Sequence, residues 1–231
     1  MQKSETLPIY DSARRGSAPL EELRELFHYR NLVIQMVRRD IVTRYKRSVL
    51  GIAWTMLNPL GTTLVLTIVF SQVFSVEKSY AGYVLSGLMA WTFFAQTTNA
   101  SMVTLVWGGG LLKRIYLPHT IFAISGVGTG LVNLLLSLVP LMLILLLTGV
   151  PITGAALYLP VPIFLLTLFS LGIGLLISTV AIYFPDVAEM YQVVLTAWMY
   201  LSPVIYTTDM LPPQYAWIVK LNPMYYLIQL F

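Results

Sequence analysis

The sequence predicts an all-α integral membrane protein. It has an N-terminal amphipathic interface helix, five transmembrane helices with a sixth expected beyond Phe231, and short outer re-entrant helices. Three observations predict this. First, 57% of the 231 residues are hydrophobic and 10% are charged, whereas a soluble domain needs about 25% charged residues to cover its surface. Second, no Asp, Glu, Lys or Arg occurs in residues 48–76, 79–112, 115–185 or 190–208. A helix needs roughly 20 apolar residues to cross a bilayer, so the third gap has room for two spans and each of the others for one. Third, ten of the fourteen Lys and Arg lie in residues 1–47, ahead of the first apolar stretch.

Taken in order, residues 1–16 form a flexible lead of mixed charge with no apolar period. Ser17, Pro19, Glu21 and Glu22 supply a cap, a first-turn proline and carboxylates facing the positive helix end. They open a cytoplasmic interface helix over 17–47. Leu23, Phe27, Ile34, Val37, Ile41 and Tyr45 recur mostly at three- and four-residue steps, with basic residues filling much of the remainder. The pattern predicts an amphipathic helix, or a bent pair, lying in the headgroup region. A solvated helix packed on a partner protein is the competing reading.

The transmembrane domain occupies 48–206, with spans near 52–75, 83–107, 120–148, 157–183 and 189–206. Glu77-Lys78, the run Gly108-Gly109-Gly110 with the loop to Pro118, Pro151 with Gly154, and Phe184-Pro185-Asp186 separate them. Residues 207–231 are an outer re-entrant region. Asp209, Pro212, Pro213, Lys220 and Pro223 break it, and Tyr215, Trp217, Tyr225 and Tyr226 suit interfacial depth. An apolar run begins just before Phe231, which is why a sixth span is expected.

Orientation follows from the basic residues. With five alternating spans, residues 1–47 and the 108–119 loop share one side, which then holds twelve Lys and Arg against two opposite. The positive-inside rule makes that side cytoplasmic, so the chain is a multi-pass protein of the cytoplasmic (inner) membrane with its N-terminus in the cytoplasm. No short apolar segment with a cleavage site precedes the basic stretch, so the first span is expected to direct insertion. The formal net charge of +4 is read as membrane-surface attraction rather than nucleic-acid binding, because the charges precede a span.

Enzyme signals are sparse. Cysteine is absent, which removes thiol catalysis and Cys-based zinc sites. There is no G-x-x-x-x-G-K-[ST] segment, so no P-loop. His28 and His119 lack metal-ligand spacing, and no metal is expected. Gly126-Val127-Gly128-Thr129-Gly130 lies inside an apolar stretch rather than after a strand. Its G-x-x-x-G spacing suits close helix approach, and Gly172 and Gly174 suit it likewise. The span interiors lack the carboxylates or histidines that ion-coupled carriers place at membrane depth. Trp54, Trp91, Phe93 and Phe94 read as interfacial anchors. Tyr183, Tyr191, Trp198 and Tyr200 follow helical spacing. They serve either lipid and bundle packing or, together with Trp54, a path for a sugar, whose ring stacks on aromatic faces.

Several segments together resemble a known family. Arg38-Arg39-Asp40-Ile41-Val42-Thr43-Arg44-Tyr45-Lys46-Arg47-Ser48-Val49-Leu50-Gly51, with Trp54 and Leu57-Asn58-Pro59-Leu60, is similar to the entry to the first span of polysaccharide-exporting ABC-2 permeases. Lys113-Arg114-Ile115-Tyr116-Leu117-Pro118 resembles their basic loop, and Tyr183-Phe184-Pro185-Asp186-Val187 their second cytoplasmic turn, with Pro185 where arginine is common. Leu201-Ser202-Pro203-Val204-Ile205-Tyr206, Leu211-Pro212 and Leu221-Asn222-Pro223 resemble the exit from span five and the outer region. The resemblance covers residues 20–231 and points to the transmembrane subunit of O-antigen or teichoic-acid exporters.

The resemblance implies a homodimeric permease with no cofactor of its own, driven by two copies of a separate ATPase that binds ATP and Mg. Pro185, Asp186 and Glu189 would contact that ATPase. A lipid-linked glycan would enter where Arg38, Arg39, Arg44, Lys46, Arg47, Lys113 and Arg114 attract its diphosphate, although topology alone also accounts for those charges. Pro212, Tyr215, Trp217 and Pro223 would belong to an outer gate. An ABC-2 drug or lipid exporter, and a non-transporting scaffold of a glycan-assembly complex, are the alternatives.

Overall fold

The computed structural model describes residues 26–46, 48–71, 80–107, 120–151, 154–207, 214 and 216–231. It is helical, with no strand among the described residues. The helices are α1 (Arg30–Tyr45), α2 (Ala53–Ser71), α3 (Tyr80–Trp107), α4 (Thr120–Thr148), α5 (Pro160–Tyr183), α6 (Val187–Tyr200), α7 (Ala216–Lys220) and α8 (Pro223–Gln229). A short 3-10 turn, Gly154–Tyr158, precedes α5.

Among the described residues, three helical segments are long and apolar enough to cross a membrane: Ala53–Phe70, Thr120–Thr148 and Ala156–Tyr183. The 29 residues of α4 extend about 44 Å at 1.5 Å per residue, more than a hydrocarbon core. Its bounds match the expected 120–148. Helix α3, at 28 residues, has the length but carries Ser86, Thr92, Gln96, Thr97, Thr98, Asn99, Ser101 and Thr104. It tolerates them because it is the central helix, packed chiefly on α4 and α5 and also touching α2, α6 and α8. Its hydroxyls bond within the helix: Thr97 donates to Phe93 O at 2.7 Å, Thr98 to Phe94 O at 2.8 Å and Ser101 to Thr97 O at 2.9 Å.

Helix α6 has only 14 residues, about 21 Å at the helical rise. It stops at Tyr200, and the last residues of the expected 189–206 span are turns. Pro203 has no N–H to continue the helix, which accounts for the early stop. The turned segment is bound instead to the start of α3. Tyr80 Oη donates to Ile205 O at 2.8 Å, and Tyr83 Oη lies 2.6 Å from Pro203 O and 2.8 Å from Tyr206 O. These bonds hold the first turn of α3, which begins at Tyr80 rather than near 83.

Close packing depends on small residues. A Cβ on Gly130 of α4 would stand 2.3 Å from Thr97 Cγ2, and one on Gly174 of α5 would stand 3.0 Å from Ser101 Oγ. The Gly126–Gly130 spacing therefore seats α4 on α3, as G-x-x-x-G segments do. Gly172 has open space around it.

Trp91, Phe93 and Phe94 are buried in the core rather than anchored at an interface, because α3 is enclosed on several sides. Phe94 lies 5.5 Å from the Phe169 ring and 5.1 Å from that of Trp198, with Trp91 against Phe94 at 5.6 Å. The first pair is stacked, the second edge-on and the third tilted, and stacked and edge contacts are favoured arrangements of aromatic quadrupoles.

The N-terminal helix is bent: residues 26–28 are helical, Tyr29 sits at φ −90° and ψ 11°, and α1 follows. It packs on α4 of its own chain through Met36, Leu26, Tyr29, Leu32 and Val33 against Ile121 and Phe122. Phe27 and Ile34, from the expected apolar stripe, point outward and are 74% and 63% exposed.

Candidate functional site

Two adjoining cavities of about 470 and 310 Å³ run between α3 and α4, beside α2 and the end of α1. Arg44, Gln96, Gly130 and Asn133 line both, so the two form one groove. Its walls include two stripes at four-residue spacing, polar apart from Ala100. One is Thr92, Gln96, Ala100 and Thr104 on α3, and the other is Ser125, Thr129, Asn133 and Ser137 on α4. Four residues return a helix to nearly the same face, so each stripe is continuous. Each spans twelve residue steps, about 18 Å of helix.

Most hydroxyls in the two stripes already donate to their own helix. Thr104 donates to Ala100 O at 2.7 Å, Thr129 to Ser125 O at 3.0 Å and Ser137 to Asn133 O at 2.9 Å. A hydroxyl oxygen that donates in this way keeps acceptor capacity, so these present mainly acceptors to the groove. The side-chain amides of Gln96 and Asn133 differ. Neither has a hydrogen-bond partner among the described residues.

Arg39 and Asp40 of α1 line the smaller cavity, and Arg44 of α1 lines both. Arg39 is paired with its neighbour, Nη2 lying 2.8 Å from Asp40 Oδ1. Arg38, Arg44 and Lys46 carry no ion pair among the described residues. Arg44 thus brings an uncompensated positive charge to the groove where the two cavities meet. The wall opposite is the first half of α2, where Trp54, Thr55, Asn58 and Thr62 line the larger cavity. The Tyr45 and Thr55 hydroxyls are hydrogen-bonded to one another, which joins the end of α1 to the first turn of α2. Pro59 within α2 has no N–H to meet the Thr55 carbonyl.

Of the expected site residues, the structure therefore brings Arg39, Arg44 and Trp54 to one groove, with Trp54 53% exposed at its edge. Arg38 and Lys46 are exposed on α1. Tyr191 is buried, and its hydroxyl donates to Thr98 Oγ1 at 2.7 Å. Trp198 sits in the aromatic cluster and donates from Nε1 to Asn222 Oδ1 at 2.7 Å. Tyr183 and Tyr200 are exposed at the ends of α5 and α6. Pro185, Asp186 and Glu189 are exposed at the α5–α6 turn. Since Tyr191 pairs with Thr98 in the second half of α3, and Tyr83 at its start pairs with residues 203–206, that turn lies at the end of the bundle that carries α1. Trp217 and Pro223 are exposed on α7 and α8. Arg47, Lys113, Arg114, Pro212 and Tyr215 lie outside the described residues.

Sequence reasoning did not single out Gln96, Asn133, Ser137 or Thr92. The available signal was their common four-residue register within apolar stretches.

A family model described as "ABC-2 type transporter" matches residues 31–231. The chain belongs to that family. The resemblance read from the sequence is thereby borne out at the level of the ABC-2 family. This ABC-2 chain is 30% identical over 206 residues to the O-antigen export system permease protein RfbA of Myxococcus xanthus, covering 87% of this chain and 79% of the relative. It is 24% identical over 196 residues to the protein of the same name from Klebsiella pneumoniae, covering 84% and 76%. It is also 24% identical over 228 residues to the capsule polysaccharide export inner-membrane protein CtrC of Neisseria meningitidis, covering 92% and 84%.

Proposed function

We propose that this chain is the permease subunit of an ATP-driven exporter that moves a lipid-linked polysaccharide, O-antigen-like or teichoic-acid-like, across the cytoplasmic membrane. The observation that carries the reading is a groove with rows of hydroxyls and amides and an unpaired arginine, Arg44, lining both of its cavities, found in an ABC-2 chain whose relatives bear polysaccharide-export names. An unpaired guanidinium offers charge-assisted bonds to phosphate oxygens, so Arg44 meets the lipid diphosphate, with Arg38, Arg39, Lys46, Arg47, Lys113 and Arg114 adding surface attraction. Hydroxyls and amides along α3 and α4 meet sugar hydroxyls.

In this reading α2 to α6 are five spans. Helix α3 counts as one because its polar groups are enclosed, and α6 with its bound turns completes the fifth. The side carrying α1 is cytoplasmic by the positive-inside rule. Two copies of the permease pair with two copies of a separate ATPase, which supplies the ATP and Mg chemistry. Pro185, Asp186 and Glu189, exposed on the same side as α1, are the docking turn, and α6 carries its displacement toward α7 and α8. Those two helices, with Pro212, Tyr215, Trp217 and Pro223, form the outer gate.

The test is purification from inner membranes in mild detergent, mass spectrometry of stoichiometric partners, and reconstitution into liposomes. The reading expects one P-loop ATPase per permease and ATP-dependent movement of lipid-linked glycan. Movement of lipids or drugs without glycan would favour the other ABC-2 role. Absence of any ATPase would leave a scaffold.

A further inference from the structure

Asn133 stands near the middle of α4 and is 9% exposed. Gln96 stands near the middle of α3. Each amide lines both cavities, at the waist where they join, and neither bonds to a protein group among the described residues. At bilayer depth an unmet amide is costly, and a polar group kept there marks a ligand or water site. The position has room for a ligand, because the larger cavity of about 470 Å³ falls within the range of small-molecule sites.

The chemistry of the lining selects the ligand. Among the described residues, the charged groups that line the two cavities are Arg39, Asp40 and Arg44 of α1. Each carboxamide supplies two donors and one acceptor oxygen, which suits the adjacent hydroxyls of a sugar. A carboxylate at the same place loses its hydration and lies beside the like-charged diphosphate that takes Arg44, the unpaired cation lining both cavities among the described residues. Arg44 lines the same cavity as Asn133 and Gln96, so a diphosphate on the arginine leaves the sugar it carries directed at the amides.

We infer that Asn133 and Gln96 form a saccharide subsite, within a single protomer, for the uncharged sugar joined directly to the lipid diphosphate. This deepens the exporter reading above and rests on it. The subsite makes each protomer selective for the reducing-end sugar, independently of the rest of the polymer.

The test uses the full permease–ATPase complex in lipid nanodiscs. Three probes are titrated by native mass spectrometry: a polyprenyl diphosphate that is bare, one bearing a single neutral hexose, and one bearing a single hexuronic acid. Wild type is expected to bind the hexose-bearing lipid about tenfold more tightly than the bare one, the equivalent of one well-made hydrogen-bond set, and the hexuronic lipid no better than the bare one. Gln96→Leu and Asn133→Leu each abolish the hexose advantage and leave bare-lipid binding unchanged, whereas Arg44→Gln weakens all three. Gln96 is exposed to the groove, so its variant stays informative even if Asn133→Leu fails to fold. A preserved hexose advantage in Gln96→Leu, or hexuronic binding equal to hexose binding, overturns the subsite while the exporter reading stands. Wild type that binds none of the three lipids overturns both.

Discussion

Trp198 Nε1 donates to Asn222 Oδ1 at 2.7 Å, and this bond ties the end of α6 to the start of α8. The same Oδ1 accepts from Met224 N at 3.0 Å and so caps α8, while Nδ2 donates to Ser202 Oγ at 2.8 Å and to Leu201 O at 3.3 Å. Asn222 is buried. Its removal leaves the Trp198 donor and the first N–H of α8 unmet. Asn222→Leu is expected to cost about 2–6 kcal/mol, from two orphaned groups at roughly 1–3 kcal/mol each. Trp198→Phe keeps the ring in its aromatic cluster and costs about 1 kcal/mol, since Asn222 retains its other partners. Thermal unfolding of the detergent-purified protein ranks the two. An Asn222→Leu midpoint no lower than that of Trp198→Phe would show that the cap does not hold α8.

Two glycines separate packing from propensity. A Cβ on Gly130 would meet Thr97 Cγ2 at 2.3 Å and Phe93 Cε2 at 3.2 Å, while Gly172 has nothing within 4 Å. Gly130→Ala overpacks the α3–α4 contact and should destabilise by about 1–3 kcal/mol. Gly172→Ala meets no neighbour, and the lower backbone entropy of alanine stabilises by up to about 1 kcal/mol. Equilibrium unfolding in bicelles should give opposite signs for the pair, and equal signs would contradict the helix seating described here.

Much of the helical layout was legible because hydrocarbon tolerates so few charges. The loop to Pro118 and the turn at Pro151 and Gly154 gave the bounds of α4 within its charge-free stretch, and Phe184-Pro185 marked the end of α5, since the residue before a proline avoids helix. What the sequence could not tell was which helix stands at the centre. Trp91, Phe93 and Phe94 carry the composition of interfacial anchors, and only the neighbours of α3 show that they are interior. The groove was half legible. Arg44 and Trp54 stood out as a charge and an aromatic at a span entry, whereas Gln96 and Asn133 are two amides among many. Their meaning depends on α3 and α4 turning the two stripes toward one gap, a relation between helices that no single periodicity contains.

The Tyr45–Thr55 hydrogen bond joins the basic helix to the groove wall. Thr55→Val keeps the side-chain shape and removes the hydroxyl, so the expected cost is about 1 kcal/mol, the net worth of one ordinary hydrogen bond. The effect should be local. Hydrogen exchange should rise in the last turn of α1 and the first turn of α2 while α5 and α6 remain protected. Uniform faster exchange across the bundle would instead mean that the bond supports the whole fold.

Tyr191 decides between packing and path. Its hydroxyl donates to Thr98 Oγ1 at 2.7 Å, and Thr98 in turn donates to Phe94 O at 2.8 Å, so a two-bond chain runs from α6 into the centre of α3. If this pair joins helices, Tyr191→Phe and Thr98→Val remove the same interaction, and the double variant is less destabilised than their sum. The expected coupling is about 0.6 kcal/mol, the usual size for such bonds between membrane helices. Glycan export by Tyr191→Phe, measured per folded complex, should then stay at the wild-type level, because the ring still fills its place in the core. Additive stability losses together with a several-fold drop in export would point the other way. The Tyr191 hydroxyl would then act on the transported chain rather than on Thr98.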